Sequence, residues 1–583
     1  MSIKSDVLGV PIPNIPHAIS VSLPTWDDNT GYVEGNKRVT DAMVTGYPRF
    51  VVHRDVQALA GICEKEFGQP GETCFLFPSA HIANEFRQFM IRHSPDPASP
   101  ISVNLVEYFI CPTHGTPAEC FELHIGLFQQ GAFRLGKQFW QHAGLGISSR
   151  FASAVLDRLA QNRKFRADDG LSPTPKPQNF QCTKHCDLKP RRRQALPQPC
   201  ERNARSEDHY ALRANAALAK ATLRYRIAGL IANESPSAPV EGSQLGARTP
   251  GVVSEDDVFL FPTGMSAIWN SYQLILAIRP QQRSVCFGFP YTDTLKILEK
   301  WGPGCHFFAD GQDTGIDKLS SILQTESISA LYTESPSNPL LRSVNLPRLR
   351  ELANEHDFLI VVDETIGSFV NVDVLPYADM IVTSLSKVFS GRANVTGGSL
   401  VLNPKSKYYH TLKSQLEQRF EDNWWPEDAI VMEHNSRDLA RRVQTMNQTA
   451  EALCEFLRDH ARSTPHTVLK HVYYPKWETR QNYDRFKRPS GGFSGLFTLT
   501  FTTMAASRAF FDNLDCAKGP SLGTNFTLVC PYTILAHPAE LEWAETYGVE
   551  TGLVRVSVGL EELGDLLSRF KVALDKAEAT YPS

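Results

Sequence analysis

The chain has 583 residues, 42% hydrophobic and 21% charged, so at roughly 100–200 residues per domain two to four globular units are expected. Sixty-three acidic residues stand against 59 basic ones, a net charge of -4, which offers no general electrostatic footprint for nucleic acid or an anionic membrane. No apolar run approaches the roughly 20 residues needed to span a bilayer, and the N-terminus lacks a signal-peptide core; the expectation is a cytoplasmic protein.

Twelve cysteines scattered through such a chain read as mostly reduced thiols, and the sequons at Asn394, Asn447 and Asn525 as background matches. Residues 1–57, with SLPTWDDNTGYVEG and TGYPRF, read as an extended arm with a few turns, suited to wrapping a partner subunit. Residues 58–164 alternate helical stretches with β-prone runs such as ISVNLVEYFI and predict a small α/β unit.

Residues 165–205 break the texture: rich in Pro, Lys, Arg and Gln, they predict an exposed or disordered insertion. Cys182, His185, Cys186 and Cys200 lie inside it, but their spacing matches no strong zinc pattern, so no metal site is assigned. The cluster Lys189-Pro190-Arg191-Arg192-Arg193 reads as a solvated face; nuclear targeting is its weaker alternative, and no nucleic-acid partner is expected.

A helix follows in HYALRANAALAKATLRYRIAGLIANE, then a polar linker from Ser235 to about Glu255. Within a large domain spanning 206–450, DDVFLFPTGMSAIWNSYQLILAI reads as strand, glycine turn and helix, and RSVCFGFP, CHFFAD, ISALYTESP, DFLIVVDET and ADMIVTSLS as short buried strands alternating with helices, which predicts a mostly parallel, helix-covered α/β sheet. Two long helices, KYYHTLKSQLEQRF and AIVMEHNSRDLARRVQTMNQTAEALCEFL, come next. Residues 451–583 read as a smaller α+β domain.

The chemistry gathers at the ends of these strands. Lys387 follows the strand ADMIVTS, where such sheets bind ligands, with Ser384 and Ser386 beside it. Asp363 ends an apolar strand, where a carboxylate is costly unless it meets a cation or a protonated ring nitrogen. Gly264 and Met265 lie at a strand-to-helix turn whose backbone N–H groups suit a phosphate. Singly, each has a plainer reading: a surface lysine, a cap near Thr365, a turn glycine. Together they form the set that pyridoxal phosphate requires.

The segments ESPSNPLLRSVNLPRLRELANEHDFLIVVDET and SLSKVFSGRANVTGGSLVLNP resemble the Cys/Met-metabolism family of pyridoxal-phosphate enzymes, and SLPTW with TGYPRF is similar to its fungal-type cystathionine γ-synthase branch. The resemblance implies an aspartate-aminotransferase-like fold, type I. It implies Lys387 as the Schiff-base lysine, Asp363 as partner of the pyridine nitrogen, and Tyr291 as the tyrosine stacked on the ring. Gly264, Met265, Ser384 and Ser386 match the phosphate cradle. Tyr47 and Arg49 match an arm that reaches the neighbouring subunit's phosphate, which implies a homodimer or homotetramer.

Asn338, Arg555 and Ser521 match residues at the substrate carboxylate. Tyr291 could instead be a core tyrosine, Asn338 a turn residue before Pro339 and Arg555 a strand-face charge. Asp363-Glu364-Thr365 replaces the common Asp-Asn-Thr, and Gly391-Arg392-Ala393-Asn394 differs from the usual version. The implied reaction is γ-replacement on an O-acylhomoserine, succinyl or acetyl, by cysteine, with Lys387 and Tyr291 moving protons. Replacement by sulfide, methanethiol or a carbon nucleophile, a β- or γ-lyase, and an inactive relative acting as a partner protein are the alternatives.

Overall fold

The computed structural model of the chain describes residues 7–48, 50–113, 120–168, 204–232 and 251–581. Arg49, the cysteine–histidine group 182–200, the basic cluster 189–193 and most of the linker after 232 lie outside the described residues.

A short hairpin of β1 (Pro11–Ile12) and β2 (Ser20–Val21) precedes helices α1 (Trp26–Val33) and α2 (Lys37–Thr40). The segment expected to be extended is therefore partly helical. Its cause is a capping box: the Thr25 hydroxyl accepts the Asp28 N–H at 3.1 Å while the Asp28 carboxylate accepts the Thr25 N–H at 3.1 Å. The segment packs on its own chain. Trp26 is buried edge-on to Phe511, with ring centroids 5.8 Å apart, and its backbone N–H donates to Asp512 Oδ1 at 2.7 Å.

The small α/β unit runs α3 (Arg54–Phe67), β3 (Glu72–Phe77), α4 (Ala80–Arg92), β4 (Val103–Ile110), β5 (Phe121–Gln129), α5 (Phe133–Ala143) and α6 (Ser149–Asp168). Its antiparallel sheet has the order β3-β5-β4. Because Ile110 pairs with Phe121, the flanking Cys111 and Cys120 meet and form a disulfide. That pair is the exception among thiols expected to be mostly reduced; among the described residues Cys63, Cys74, Cys286, Cys305, Cys454, Cys516 and Cys530 are free.

After α7 (Ala204–Ile231) come β6 (Val258–Phe261), α8 (Gly264–Ile278), β7 (Ser284–Phe287), α9 (Thr292–Lys300), β8 (Cys305–Phe308) and α10 (Asp313–Leu323). The large domain continues with β9 (Ala330–Glu334), α11 (Leu346–Glu355), β10 (Leu359–Asp363), β11 (Met380–Ser384) and β12 (Gly398–Leu402). These strands form one seven-stranded sheet, β6-β12-β11-β10-β9-β7-β8; the five from β11 to β8 are parallel, β12 runs antiparallel to its neighbours β11 and β6, and β6 therefore runs in the direction of the five. Alternate residues of each strand feed different cores: Ile360 and Val362 face one, Leu359 and Val361 the other. Both faces are thus covered, as the unbroken apolar strands require. Phe77, Phe86 and Phe139 of the small α/β unit belong to the second core, which fixes that unit against the sheet.

Helices α12 (Tyr409–Arg419), α13 (Pro426–Asn435) and α14 (Leu439–Ser463) follow. The sequence predicts α13 and α14 as one helix; the chain breaks at residues 436–438, where the Ser436 hydroxyl donates back to the Met432 carbonyl and the Asp438 side chain pairs with Arg442 of the next helix's first turn. Helix α14 also runs straight through 450/451, so no break lies at that expected boundary. The rest is β13 (Leu469–Tyr473), α15 (Arg480–Asp484), β14 (Leu496–Phe501), α16 (Met504–Asn513), β15 (Ala517–Lys518), β16 (Leu528–Pro531), α17 (Tyr532–Ala536), α18 (Leu541–Glu545), β17 (Val554–Ser557) and α19 (Leu563–Glu578). Its sheet, β13-β14-β17-β16-β15, makes the expected α+β domain.

Candidate active site

Glu334, Asp363 and Ser384 end the neighbouring strands β9, β10 and β11, so their side chains converge at the carboxyl edge of the parallel sheet. A cavity of about 520 Å³ opens there. It is lined by Tyr47, Gly264, Met265, Tyr291, Asn338, Asp363, Ser384, Ser386, Lys387, Ser521 and Arg555. Every sequence-predicted site residue among the described ones therefore meets in one place; Arg49 lies outside them.

Lys387 is buried. Its Nζ donates to Ser521 Oγ at 3.0 Å and Tyr47 Oη at 3.1 Å, and lies 4.2 Å from the centroid of the Tyr47 ring. Tyr47, expected at a neighbouring subunit's phosphate, thus lies on the lysine of its own chain. The connection is anchored by Thr45 Oγ1, which donates to the Ala18 carbonyl at 2.9 Å, and by Ile19 N–H, which donates to the Ala393 carbonyl at 2.8 Å. On the far side, Ser521 stands at φ +100°, a conformation that costs a non-glycine residue about 1–3 kcal/mol. The next turn explains why it is held: a Cβ on Gly523 would lie 2.4 Å from Val388 N, so the loop closes directly on the lysine's backbone.

The helix α8 starts at Gly264 with Thr263 as its cap, and Gly264 and Met265 of its first turn line the cavity. A Cβ on Gly264 would stand 2.7 Å from Ser384 Cβ, so only glycine lets the helix end approach β11. The Ser386 hydroxyl is engaged by the Gly397 backbone, donating at 3.3 Å and accepting at 3.0 Å. Asp363 Oδ1 accepts the Thr365 N–H at 2.8 Å, and Thr365 Oγ1 accepts the Ser384 N–H at 2.9 Å. Burial pushes the Asp363 carboxyl upward, so the charged form calls for a cation at this strand end.

Arg555 Nη2 donates to the Ser521 carbonyl at 2.6 Å and Nη1 to Asn338 Oδ1 at 3.1 Å, while its guanidinium lies 4.9 Å from the Tyr532 ring centroid. A buried guanidinium held only by neutral acceptors retains charge for an anionic ligand. This arrangement fits pyridoxal phosphate: an anion cradle at a helix end, an acid at a strand end, and an amine between them.

Glu334, Thr365 and Tyr532 also line the cavity, and sequence reasoning missed them. Glu334 had a signal, since it closes the buried run ALYTE just before SPSNP; Tyr532 had none beyond following a short strand. His17, His53 and Asp55 bring ligating atoms within 4.8 Å of one another, but His17 Nδ1 is hydrogen-bonded to Ser149 Oγ at 3.0 Å and Asp55 Oδ2 accepts from Ser153 Oγ at 2.5 Å. Among the described residues, no helix is long and apolar enough to cross a membrane.

Residues 248–575 match the family described as Cys/Met metabolism PLP-dependent enzyme, and residues 55–148 match the fungal trans-sulfuration enzyme, N-terminal domain. The chain is 46% identical to the cystathionine gamma-synthase-like enzyme iboG2 of Amanita muscaria, over 99% of this chain and 97% of that protein. It is 40% identical to the cystathionine gamma-synthase of Neurospora crassa, over 99% of each. An alanine racemase of Aspergillus violaceofuscus, ungC, is 31% identical over 98% of this chain and 97% of its own length.

Proposed function

From the membership of this chain in the Cys/Met metabolism PLP-dependent enzymes, with pyridoxal phosphate as its cofactor, we propose that it is a cystathionine γ-synthase, replacing the acyloxy group of an O-acylhomoserine with L-cysteine. The observation that carries this reading is the buried Asn338–Arg555 pair facing Lys387 across one cavity, in a chain similar along nearly its whole length to a named synthase. In this reading Arg555 takes the substrate α-carboxylate through paired, charge-assisted hydrogen bonds, and Asn338 orients it. Gly264, Met265, Ser384 and Ser386 hold the cofactor's phosphate, Asp363 its ring nitrogen, and Tyr291 its ring face. Arg49 is proposed to reach the phosphate in the neighbouring subunit's site.

Bound pyridoxal phosphate supplies the electron sink that makes protons on the substrate carbons removable. Lys387 Nζ is the amine that carries those protons between Cα and Cβ, and the hydroxyls of Tyr47 and Ser521 aim it. Tyr291 is proposed to act as its phenolate, Oη taking the thiol proton of the incoming cysteine and becoming the neutral phenol. Assembly into a homodimer or homotetramer is part of the proposal, since a symmetric partner would bring a second arm to the cavity mouth.

Another nucleophile on the same activated homoserine is the second reading. It is favoured by the higher identity to iboG2, whose name says only synthase-like. Purified holoenzyme is given O-acetyl- or O-succinylhomoserine with cysteine, and the products are weighed by mass spectrometry. Cystathionine formation is expected. Its absence, with homocysteine or methionine formed when sulfide or methanethiol is supplied in place of cysteine, would move the reaction to the second reading.

A further inference from the structure

Glu334 is used by none of the roles assigned so far. It is 8% exposed and lies opposite Asp363 in the parallel register of β9 and β10. Placing two buried carboxylates side by side is unfavourable, so its position calls for a reason beyond filling space. Its two oxygens go to two separate parts of the site. Oε1 accepts the backbone N–H of Tyr291 at 2.5 Å, and Oε2 accepts the backbone N–H of Asn338 at 3.3 Å. Tyr291 stands at the start of α9, and Asn338 is seated against Arg555 of the small domain.

We propose that Glu334 is a positioning residue: one carboxylate ties the backbone of Tyr291 to that of Asn338, and so fixes the spacing between the cofactor ring face and the clamp for an α-amino acid carboxylate. The inference rests on the reading of Tyr291 and the Asn338–Arg555 pair given above. Neither end of this tie is redundant. Without Oε1 the Tyr291 backbone loses the bond that sets where its ring enters the cavity; without Oε2, Asn338 keeps only its side-chain bonds to Arg555 and Tyr532. A carboxylate does this where an amide would not, because both partners are donors and an amide has one acceptor end.

The test compares wild-type holoenzyme with Glu334→Gln, which keeps the volume but turns an NH2 group toward one of the two donors. The probe is L-alanine, which has the α-amino acid group and no leaving group at Cγ, titrated against the visible absorbance and circular dichroism of the bound cofactor. The variant is expected to retain a full complement of cofactor, to change the intensity of its visible dichroism, and to bind L-alanine about tenfold more weakly. The pair Glu334→Gln with Asn338→Ala is expected to bind L-alanine no more weakly than Asn338→Ala alone, because both act on one clamp.

Wild-type dichroism and affinity in Glu334→Gln, or additive losses in the double variant, would overturn the proposal. If Glu334→Gln does not fold, Glu334→Asp carries the same test, since the shorter side chain cannot span both donors. Wild-type enzyme that titrates with L-alanine yet makes no cystathionine counts against the proposed reaction and leaves the Glu334 assignment standing.

Discussion

A single side chain, Lys387, separates the proposed chemistry from mere binding. Lys387→Ala removes the amine but leaves the helix-end cradle and Asp363, so cofactor is expected to bind weakly and to lose the long-wavelength absorbance of the wild type, while cystathionine formation falls by several orders of magnitude. Absorbance scans beside an activity assay check this.

Among the elements, the start of α8 and the N-terminal segment make opposite demands on substitution. Gly264→Ala would push a methyl group into Ser384, so the helix end must retreat from β11; cofactor affinity is expected to fall about tenfold or more with little loss of overall fold, as read by equilibrium titration with pyridoxal phosphate. The N-terminal segment responds to acid instead. Burial, with help from Arg150, lowers His17 to about 4 from an ordinary 6.5. Its folded state prefers the neutral ring, so the stability it supplies is present above about pH 6.5 and is lost as pH falls toward 4. Hydrogen exchange over residues 7–48 is expected to quicken across that interval before the central sheet opens.

At the scale of the whole molecule, the central sheet and its ligand edge were legible because buried parallel strands are short apolar runs, and a polar residue ending such a run stands out. Lys387 and Asp363 were found that way, and Gly264 by the strand-to-helix turn it opens. Glu334 ends a run of the same kind, yet its role depends on amides of Tyr291 and Asn338 that only folding brings to it. Tyr532 meets Arg555 and Asn338 from a distant part of the chain, and no local pattern marks it. The N-terminal segment misled for another reason: Pro, Gly and Thr suggested extension, while one capping box and the burial of Trp26 on Phe511 decided for helix. Removing residues 1–57 is consequently expected to lower the melting temperature by several degrees, since burial of one large aromatic is worth about 3 kcal/mol or more, as calorimetry would show.

Helix α14 spans the passage between the two domains without interruption, and its 25 residues make a rod of about 37 Å. Near its first turn, Arg442 donates to the carbonyls of Val388 and Phe389, the two residues after Lys387. The helix is thus pinned beside the lysine while its far end lies in the small domain. A tilt of about 5° about that pin would swing the far end by about 3 Å and leave the lysine scarcely moved, so any rocking of the small domain would act on the hold of Arg555 on Asn338 and not on the amine.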